Sequence, residues 1–519
     1  MESPYICRCE RITLEDVLSA VRGGATSVDG VKRRTRAGMG PCQGKTCSRI
    51  IARIIAAETA MSREEVLPAR VRPPLRPLTL RELALAGSEP SDMLAVPPPV
   101  SAPPAFGLLA DAGDANDAGR PDGTVVHGAM AGEGSLAERS YEFVVIGGGA
   151  VGSSITYHLA RAGRDVALLE ANDLATGTSG ATQAWVWVHS KTPRYYMELN
   201  WRGARRYPGL SEELGIDLEY RRTGGMVGLF TQEEVDASRR MMESNQAAGV
   251  EIHLLTREEA LSMEPRLSPE ILAATYSPVD GNVNPFRVVQ GFAGKAASLG
   301  ARIHLRTAVK ALEPDDGGSA SGPSPGGNRV NRSGWLVRTN RGALRCRTLV
   351  IAAGFYTPSV ARLAGVDVPV QPVRGQVLLT EAMPPTVRFT HQGVRQNPTG
   401  QVMLGYLSEN AGFDKSTTLS GLSQVADWAI HYMPSFAETK VIHAFSGLRP
   451  MPKDKLSILS WARRDPPLFV AVTHSGITLS PVIGELVSEA LMKQADGGAE
   501  AGVPPAGLEP YDLRRFAAK

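Results

Sequence analysis

Four cysteines crowd into the first 47 residues as Cys7-Arg8-Cys9 and Cys42-Gln43-Gly44-Lys45-Thr46-Cys47, with 32 residues between the two pairs. Thiolate sulfur is a soft ligand, so C-x-C with C-x4-C points to an iron–sulfur cluster or to a tetrahedral zinc. One further cysteine, Cys346, precedes the apolar run Leu349-Val350-Ile351 and reads as a packing residue. No secretory leader and no apolar stretch of about 18 residues is visible, so the chain reads as cytoplasmic. Thiols stay reduced there, which disfavours a disulfide framework.

The second constellation is Tyr141-Glu142-Phe143-Val144-Val145-Ile146, then Gly147-Gly148-Gly149-Ala150-Val151-Gly152, then a helical pattern through Leu159-Ala160. This is strand, G-x-G-x-x-G, helix. Gly147 permits the tight turn, Gly149 lets the backbone approach a pyrophosphate, and Gly152 allows close helix–strand packing. The helix start at Ala150 and Val151 supplies N–H groups to the anion. A second strand, Asp165-Val166-Ala167-Leu168-Leu169, ends at Glu170, about 20 residues on, where an acid accepts from ribose hydroxyls. FAD and NAD both fit this fingerprint.

These residues must be positioned by more than one domain, since 519 residues of which 43% are hydrophobic can bury a sizeable core. A net charge of +3, from 56 basic and 53 acidic residues, argues against nucleic-acid or membrane binding. The local patch Lys32-Arg33-Arg34 with Arg36 reads as a solvated face, or as a docking surface for an acidic electron-transfer partner. Residues 66–82 alternate proline with apolar and basic residues, which favours an extended strap over a helix, lying along another domain. From about Ser88 to Ser140 the chain is rich in Pro, Ala, Gly and Asp and reads as a flexible linker with an r.m.s. span of roughly 35–40 Å. A second low-complexity stretch, Asp315 to Asn328, reads as a loop inserted between two strands, the second containing Trp335-Leu336-Val337.

Residues 4–60 resemble the bacterioferritin-associated-ferredoxin-like [2Fe–2S] module, through Cys7, Cys9, Cys42 and Cys47, Glu10, the helix-forming run Thr13–Val21 and the approach Gly38-Met39-Gly40-Pro41. The resemblance favours the cluster over zinc. Residues 140–495 resemble the D-amino-acid-oxidase-like FAD-dependent oxidoreductases, which include glycine and sarcosine oxidases and the flavoprotein subunits of opine and D-amino-acid dehydrogenases. The matching pieces are Gly177-Thr178-Ser179-Gly180-Ala181-Thr182, Asp280-Gly281-Asn282-Val283-Asn284-Pro285, Ile351-Ala352-Ala353-Gly354, Gly447-Leu448-Arg449-Pro450 and His474-Ser475-Gly476-Ile477-Thr478.

That resemblance implies FAD as the dinucleotide. It implies contacts from Thr178 and Ser179 to the pyrophosphate and flavin, from Val309 to adenine, from Gly354 to the nucleotide, and from Gly476, Ile477 and Thr478 beneath the flavin ring. It offers Arg449 as the guanidinium for a substrate carboxylate and Arg395, on the substrate-domain sheet, as a second candidate. His474 is a third candidate, to touch the flavin edge or accept a proton, and Tyr406 and Trp187 are candidate walls. Thr182-Gln183 departs from the Asn-Ala of many relatives, and covalent flavin attachment through a late cysteine is excluded because none follows Cys346.

The implied architecture is α/β and α+β. A small, mostly helical [2Fe–2S] domain (1–65) is followed by the strap and linker (66–140). A Rossmann-like FAD-binding domain (about 141–225, 285–370 and 440–495) interleaves with a mixed-sheet substrate domain (about 226–284 and 371–439), within 141–519. The implied activity is oxidation of the C–N bond of a small amine or amino acid by hydride transfer to flavin. The cluster favours a dehydrogenase, and oxygen-using oxidase activity is the alternative. A separate role for the N-terminal domain, in interaction or iron sensing, is a further reading. The implied partner is a second flavoprotein subunit or a respiratory acceptor.

Overall fold

In the computed structural model the described residues are 3–87, save 41, 60, 67, 70–72 and 75, together with 139–315, 334–497 and 505–517. Most of the expected linker, residues 88–138, and residues 316–328 of the expected inserted loop lie outside them.

The N-terminal unit opens with an antiparallel pair, Tyr5–Cys7 against Ile12–Thr13, and continues with helices Leu14–Arg22, Val28–Thr35 and Cys47–Thr59. Thr13 starts the first helix because its hydroxyl accepts from the Asp16 amide while the Asp16 carboxylate accepts from the Thr13 amide, a reciprocal cap. Helical spacing then turns Val17, Ala20 and Val21 inward, where they meet Val28, Val31, Ile51 and Ile55. Cys7 and Cys47 lie in this core, and Cys9 and Cys42 lie toward its surface.

The residues after this unit are not wholly an extended strap. Pro73 O accepts from the Ala444 amide and Leu78–Thr79 pairs with Lys440 and Val441, so this segment does lie along another domain. Beyond it, Leu80–Ala86 is helical. The signal is local: Thr79 and Glu82 form a reciprocal cap that overrides the preceding prolines.

The first large sheet has Ser140–Ile146 at its centre, flanked in parallel by Val166–Leu169 and Gly342–Ile351; Arg302–His304 and Pro467–Val472 extend it, also in parallel. Parallel strands buried on both faces read as continuous apolar runs, as Phe143, Val144, Val145 and Ile146 do. Helices Ala150–Arg161 and Gly476–Ala495 pack against one another beside it. This is the expected Rossmann-like half.

The second sheet has nine strands and is mixed, as expected. From the edge strand Leu78–Thr79 its order runs through the long pair Lys440–Pro452 and Val370–Ala382, then Gln401–Leu404, Val394–Gln396, Thr390–His391, Gly225–Leu229, Ala273–Ser277 and His253–Thr256. Lys440–Pro452 therefore belongs to this sheet, and the chain rejoins the first sheet only at Ile458–Arg464. The division expected at 440 falls too early, because this strand's apolar alternation suits either sheet. No helix among the described residues is long and apolar enough to cross a membrane.

Candidate flavin and iron–sulfur sites

Gly147 holds φ +117°, and a Cβ there would sit 2.4 Å from Ala352 O, so only glycine turns this corner. A Cβ on Gly152 would lie 2.0 Å from Gly147 O, which lets the helix start press onto the turn. Glu170 closes the turn from the second strand: its carboxylate accepts from the amides of Gly148, at 2.7 Å, and Asn172, at 2.8 Å. Burial raises its pKa, and each oxygen keeps a lone-pair direction for a ribose hydroxyl. Ser179 Oγ accepts from the Ala150 amide at 3.0 Å, and Thr178 Oγ1 donates to Leu448 O at 2.6 Å. These bonds tie the loop after the acid both to the helix N-terminus and to the strand that carries Arg449.

A cavity of about 600 Å³ runs from this cradle to the second sheet. Its wall includes Gly147, Gly149, Ala150, Val151, Glu170, Thr178, Ser179, Val309, Gly354, Gly476, Ile477 and Thr478. Gly152 lies behind that surface, supporting the turn. The donor set fits a dinucleotide: a bare glycine turn, a helix start that lines the cavity, and a carboxylate at the end of the second strand.

Arg449, Lys191, His474, Trp187 and Tyr406 occupy the same wall. Arg449 lies over Gly375, where a Cβ would be 2.5–2.6 Å from the guanidinium, and donates to Leu407 O at 3.0 Å and Ser408 Oγ at 3.3 Å. Burial lowers its pKa, and no described acid counters it. An arginine held by neutral acceptors in a cavity wall is ready for an incoming carboxylate. Lys191 Nζ donates to Ser475 Oγ at 2.9 Å, at the start of the helix Gly476–Ala495, so a full charge joins the positive end of that helix. Burial lowers the Lys191 pKa to about 8, against the pull of Asp280. His474 is held neutral: burial, then the charges of Lys191 and Arg449, bring it down to about 3. Trp187 is 3% exposed, with its indole N–H on Ser190 Oγ at 2.6 Å, whereas Tyr406 is 55% exposed and stacks on Trp428.

In the N-terminal unit the sulfurs of Cys9 and Cys42 are 3.6 Å apart, and Cys47 contacts Cys7. Among the described residues no three Cys, His, Asp or Glu side chains converge on a single ion-sized point. Two facing thiol pairs suit a binuclear centre, in which each iron takes two thiolates, better than one tetrahedral ion. The Gly38 amide donates to Cys7 Sγ at 3.4 Å, as outer donors to cluster ligands do. Against its burial, the Cys9 thiol and the amides of Gly44, Thr46 and Lys45 lower the Cys42 pKa.

The FAD dependent oxidoreductase family profile matches residues 142–490, and that of the BFD-like [2Fe-2S] binding domain matches residues 5–57. The chain belongs to the FAD-dependent oxidoreductase family. It is 27% identical to one of the opine oxidase subunits of Agrobacterium tumefaciens (strain Ach5), over 73% of this chain and 98% of that protein. It is 29% identical to glycine oxidase of Geobacillus kaustophilus (strain HTA426), over 73% of this chain and 98% of that protein. The crystal structure of glycine oxidase from Geobacillus kaustophilus superposes with a TM-score of 0.65 at 27% identity, covering 73% of this chain and 100% of that one. As a member of this family with the BFD-like module, the chain binds FAD and a [2Fe–2S] cluster.

For this flavoenzyme, one candidate lies elsewhere. Arg395 lines a second cavity, of about 1020 Å³, between the N-terminal unit and the flavoprotein half. Its guanidinium is held by Asn282 Oδ1, Val283 O and Met403 Sδ, and burial lowers its pKa to about 10. Arg395 and Arg449 therefore do not share a pocket. Lys191 was not anticipated, because a single lysine after the run Ala184–His189 has no spacing partner; only the fold brings it to Ser475. Cys346 is a core residue, 3% exposed, with its thiol pKa raised by burial.

Proposed function

We propose that the enzyme dehydrogenates the C–N bond of a small amino acid or secondary amine and sends the electrons out through its [2Fe–2S] cluster. The observation that carries the reading is Arg449, an arginine without an acid partner among the described residues, in the cavity that also holds the glycine cradle. The relatives named as an opine oxidase and a glycine oxidase support an amine donor.

Arg449 binds the substrate carboxylate and so fixes the α-carbon in the cavity. Trp187, which is buried, excludes water from one side, and Tyr406 lines the rim. The charges of Arg449 and Lys191 disfavour an ammonium ion nearby, so the amine sheds its proton to solvent and keeps a lone pair to push out hydride. His474, neutral, neither adds charge nor takes that proton. Bound FAD supplies the two-electron hydride acceptor, and the cluster a one-electron carrier. The imine product is hydrolysed by water, and the two electrons leave singly to an external one-electron acceptor.

Anaerobic titration with glycine, sarcosine, D-amino acids, hydroxyproline epimers and opines tests the chemistry. At least one is expected to bleach the flavin, and bleaching by none contradicts the reading. Admitting air to the reduced protein tests the exit route: slow reoxidation supports a dehydrogenase, and rapid reoxidation with peroxide supports an oxidase.

A further inference from the structure

Helix Val28–Thr35 is capped by Arg36, whose left-handed backbone, φ +69°, ends the helix with its amide on Lys32 O. The Arg36 guanidinium bridges two parts of the molecule. Nε donates to Glu10 Oε2 at 3.1 Å, next to Cys9, while Nη2 donates to Thr399 Oγ1 at 2.9 Å and to Gln401 Oε1 at 2.6 Å. Gln401 is 2% exposed and returns the contact: its amide donates to Met39 O at 3.3 Å, three residues before Cys42. A second attachment lies nearby, where Arg34 Nη2 donates to Asp173 Oδ1 at 3.0 Å. Asp173 stands three residues after Glu170, in the loop that edges the flavin cavity.

The far side of this contact leads straight to the cavity. Gln401 begins the strand Gln401–Leu404, and the next two residues, Gly405 and Tyr406, line the cavity wall. Four residues of strand span about 13 Å. One short, buried strand thus joins the loop that carries the cluster ligands to the pocket that carries Arg449.

We propose that Arg36 is a positioning residue, a latch that seats the cysteine loop on Gln401 at the place from which cluster and flavin exchange electrons. The proposal rests on the relay reading above and adds the residues that set its geometry. The basic run Lys32–Arg36 then serves this chain's own flavoprotein half: Arg34 meets Asp173, and Arg36, steadied by Glu10, meets Thr399 and Gln401. The planar fork matters, because one point charge does not reach Glu10, Thr399 and Gln401 together.

The test uses the full-length holoprotein, wild type and the variants Arg36→Ala, Arg36→Lys and Gln401→Ala, each checked for FAD and iron content. Hydrogen exchange reads docking: both alanine variants are expected to lose protection across residues 28–40 and 397–401. A light pulse that generates methyl viologen radical then reduces the protein one electron at a time. In the wild type, electron redistribution between cluster and flavin absorbance is expected at a rate independent of protein concentration. It slows by about tenfold or more in Arg36→Ala and Gln401→Ala, and less in Arg36→Lys, since each alanine removes charge-assisted bonds that hold the two centres in register. A wild type without that phase overturns the relay reading and the latch with it. A wild type with the phase, and alanine variants that keep its rate or their protection, overturns the latch alone.

Discussion

Arg395 and Arg449 stand on strands of the same nine-stranded sheet, and neither forms an ion pair with a described carboxylate, yet they serve different cavities. Arg395 faces the larger space, about 1020 Å³, where most neighbouring cations already have acids: Arg34 has Asp173, Arg36 has Glu10 and Arg287 has Glu219. Arg449 faces the smaller one, about 600 Å³, which contains the glycine turn, the helix start at Gly476 and Lys191. On the proposed reading, residue type and cavity volume therefore do not locate the chemistry. The company of a cofactor cradle does.

Replacing each arginine in turn breaks or sharpens that contrast. Arg449→Met is expected to lower kcat/KM roughly a hundred- to a thousandfold, the scale of removing a desolvated charged partner from a bound carboxylate. Arg395→Met, in the other cavity, is expected to leave substrate affinity within about twofold, as independent distant sites do. Steady-state kinetics with the bleaching amine compares them, and a reversed order dissolves the contrast.

Separating the two halves chemically is the next largest effect. Cys42→Ser is expected to abolish the iron–sulfur absorbance and delivery to the natural acceptor, while amine still bleaches the flavin within about twofold of the wild-type rate. Undiminished delivery to that acceptor places the N-terminal unit outside the electron path and favours a role in interaction or iron sensing.

Within the flavin cavity, Lys191 titrates near 8 and carries its charge below that pH. Anion-dependent steps, such as sulfite binding to the flavin, are expected to weaken as pH rises through about 8, by roughly tenfold per unit, the slope of a single proton. Lys191→Met is expected to flatten that limb. Because the folded-state pKa lies below the ordinary 10.5, its cost to stability is full below about 8 and is relieved as pH climbs toward 10.5.

The smallest effect is on acid stability. Burial lowers His158 and His474 to about 3 and His304 to about 4, so unfolding takes up protons below pH 6.5. Stability from these neutral imidazoles is full above 6.5 and declines as pH falls toward 3–4, and Tm measured across that window is expected to drop accordingly.

What was legible in the sequence was what lies close together along it. Cys7, Cys9, Cys42 and Cys47 announce a thiolate site because their spacing is local, and Gly147 to Glu170 announce a nucleotide because one strand–helix–strand unit holds them all. The proposed substrate pocket was less legible, since Lys191, Arg449 and His474 arrive from separate segments and are joined only by sheet pairing and the helix at Gly476. Arg395 shows the converse: strand pairing brings it onto the expected sheet, and side-chain direction sends it to the other cavity. The helix at Leu80 is hidden by the prolines before it, which mask the Thr79–Glu82 cap. The contact from Arg36 to Gln401 spans 365 residues, and no local pattern encodes it.

The most direct measurement mixes the anaerobic holoenzyme with a bleaching amine and follows flavin absorbance and the electron paramagnetic resonance of the iron–sulfur centre in time. Flavin reduction first, followed by a reduced-cluster signal at a rate independent of protein concentration, is the predicted result. A fully bleached flavin beside a cluster that stays oxidised would contradict it.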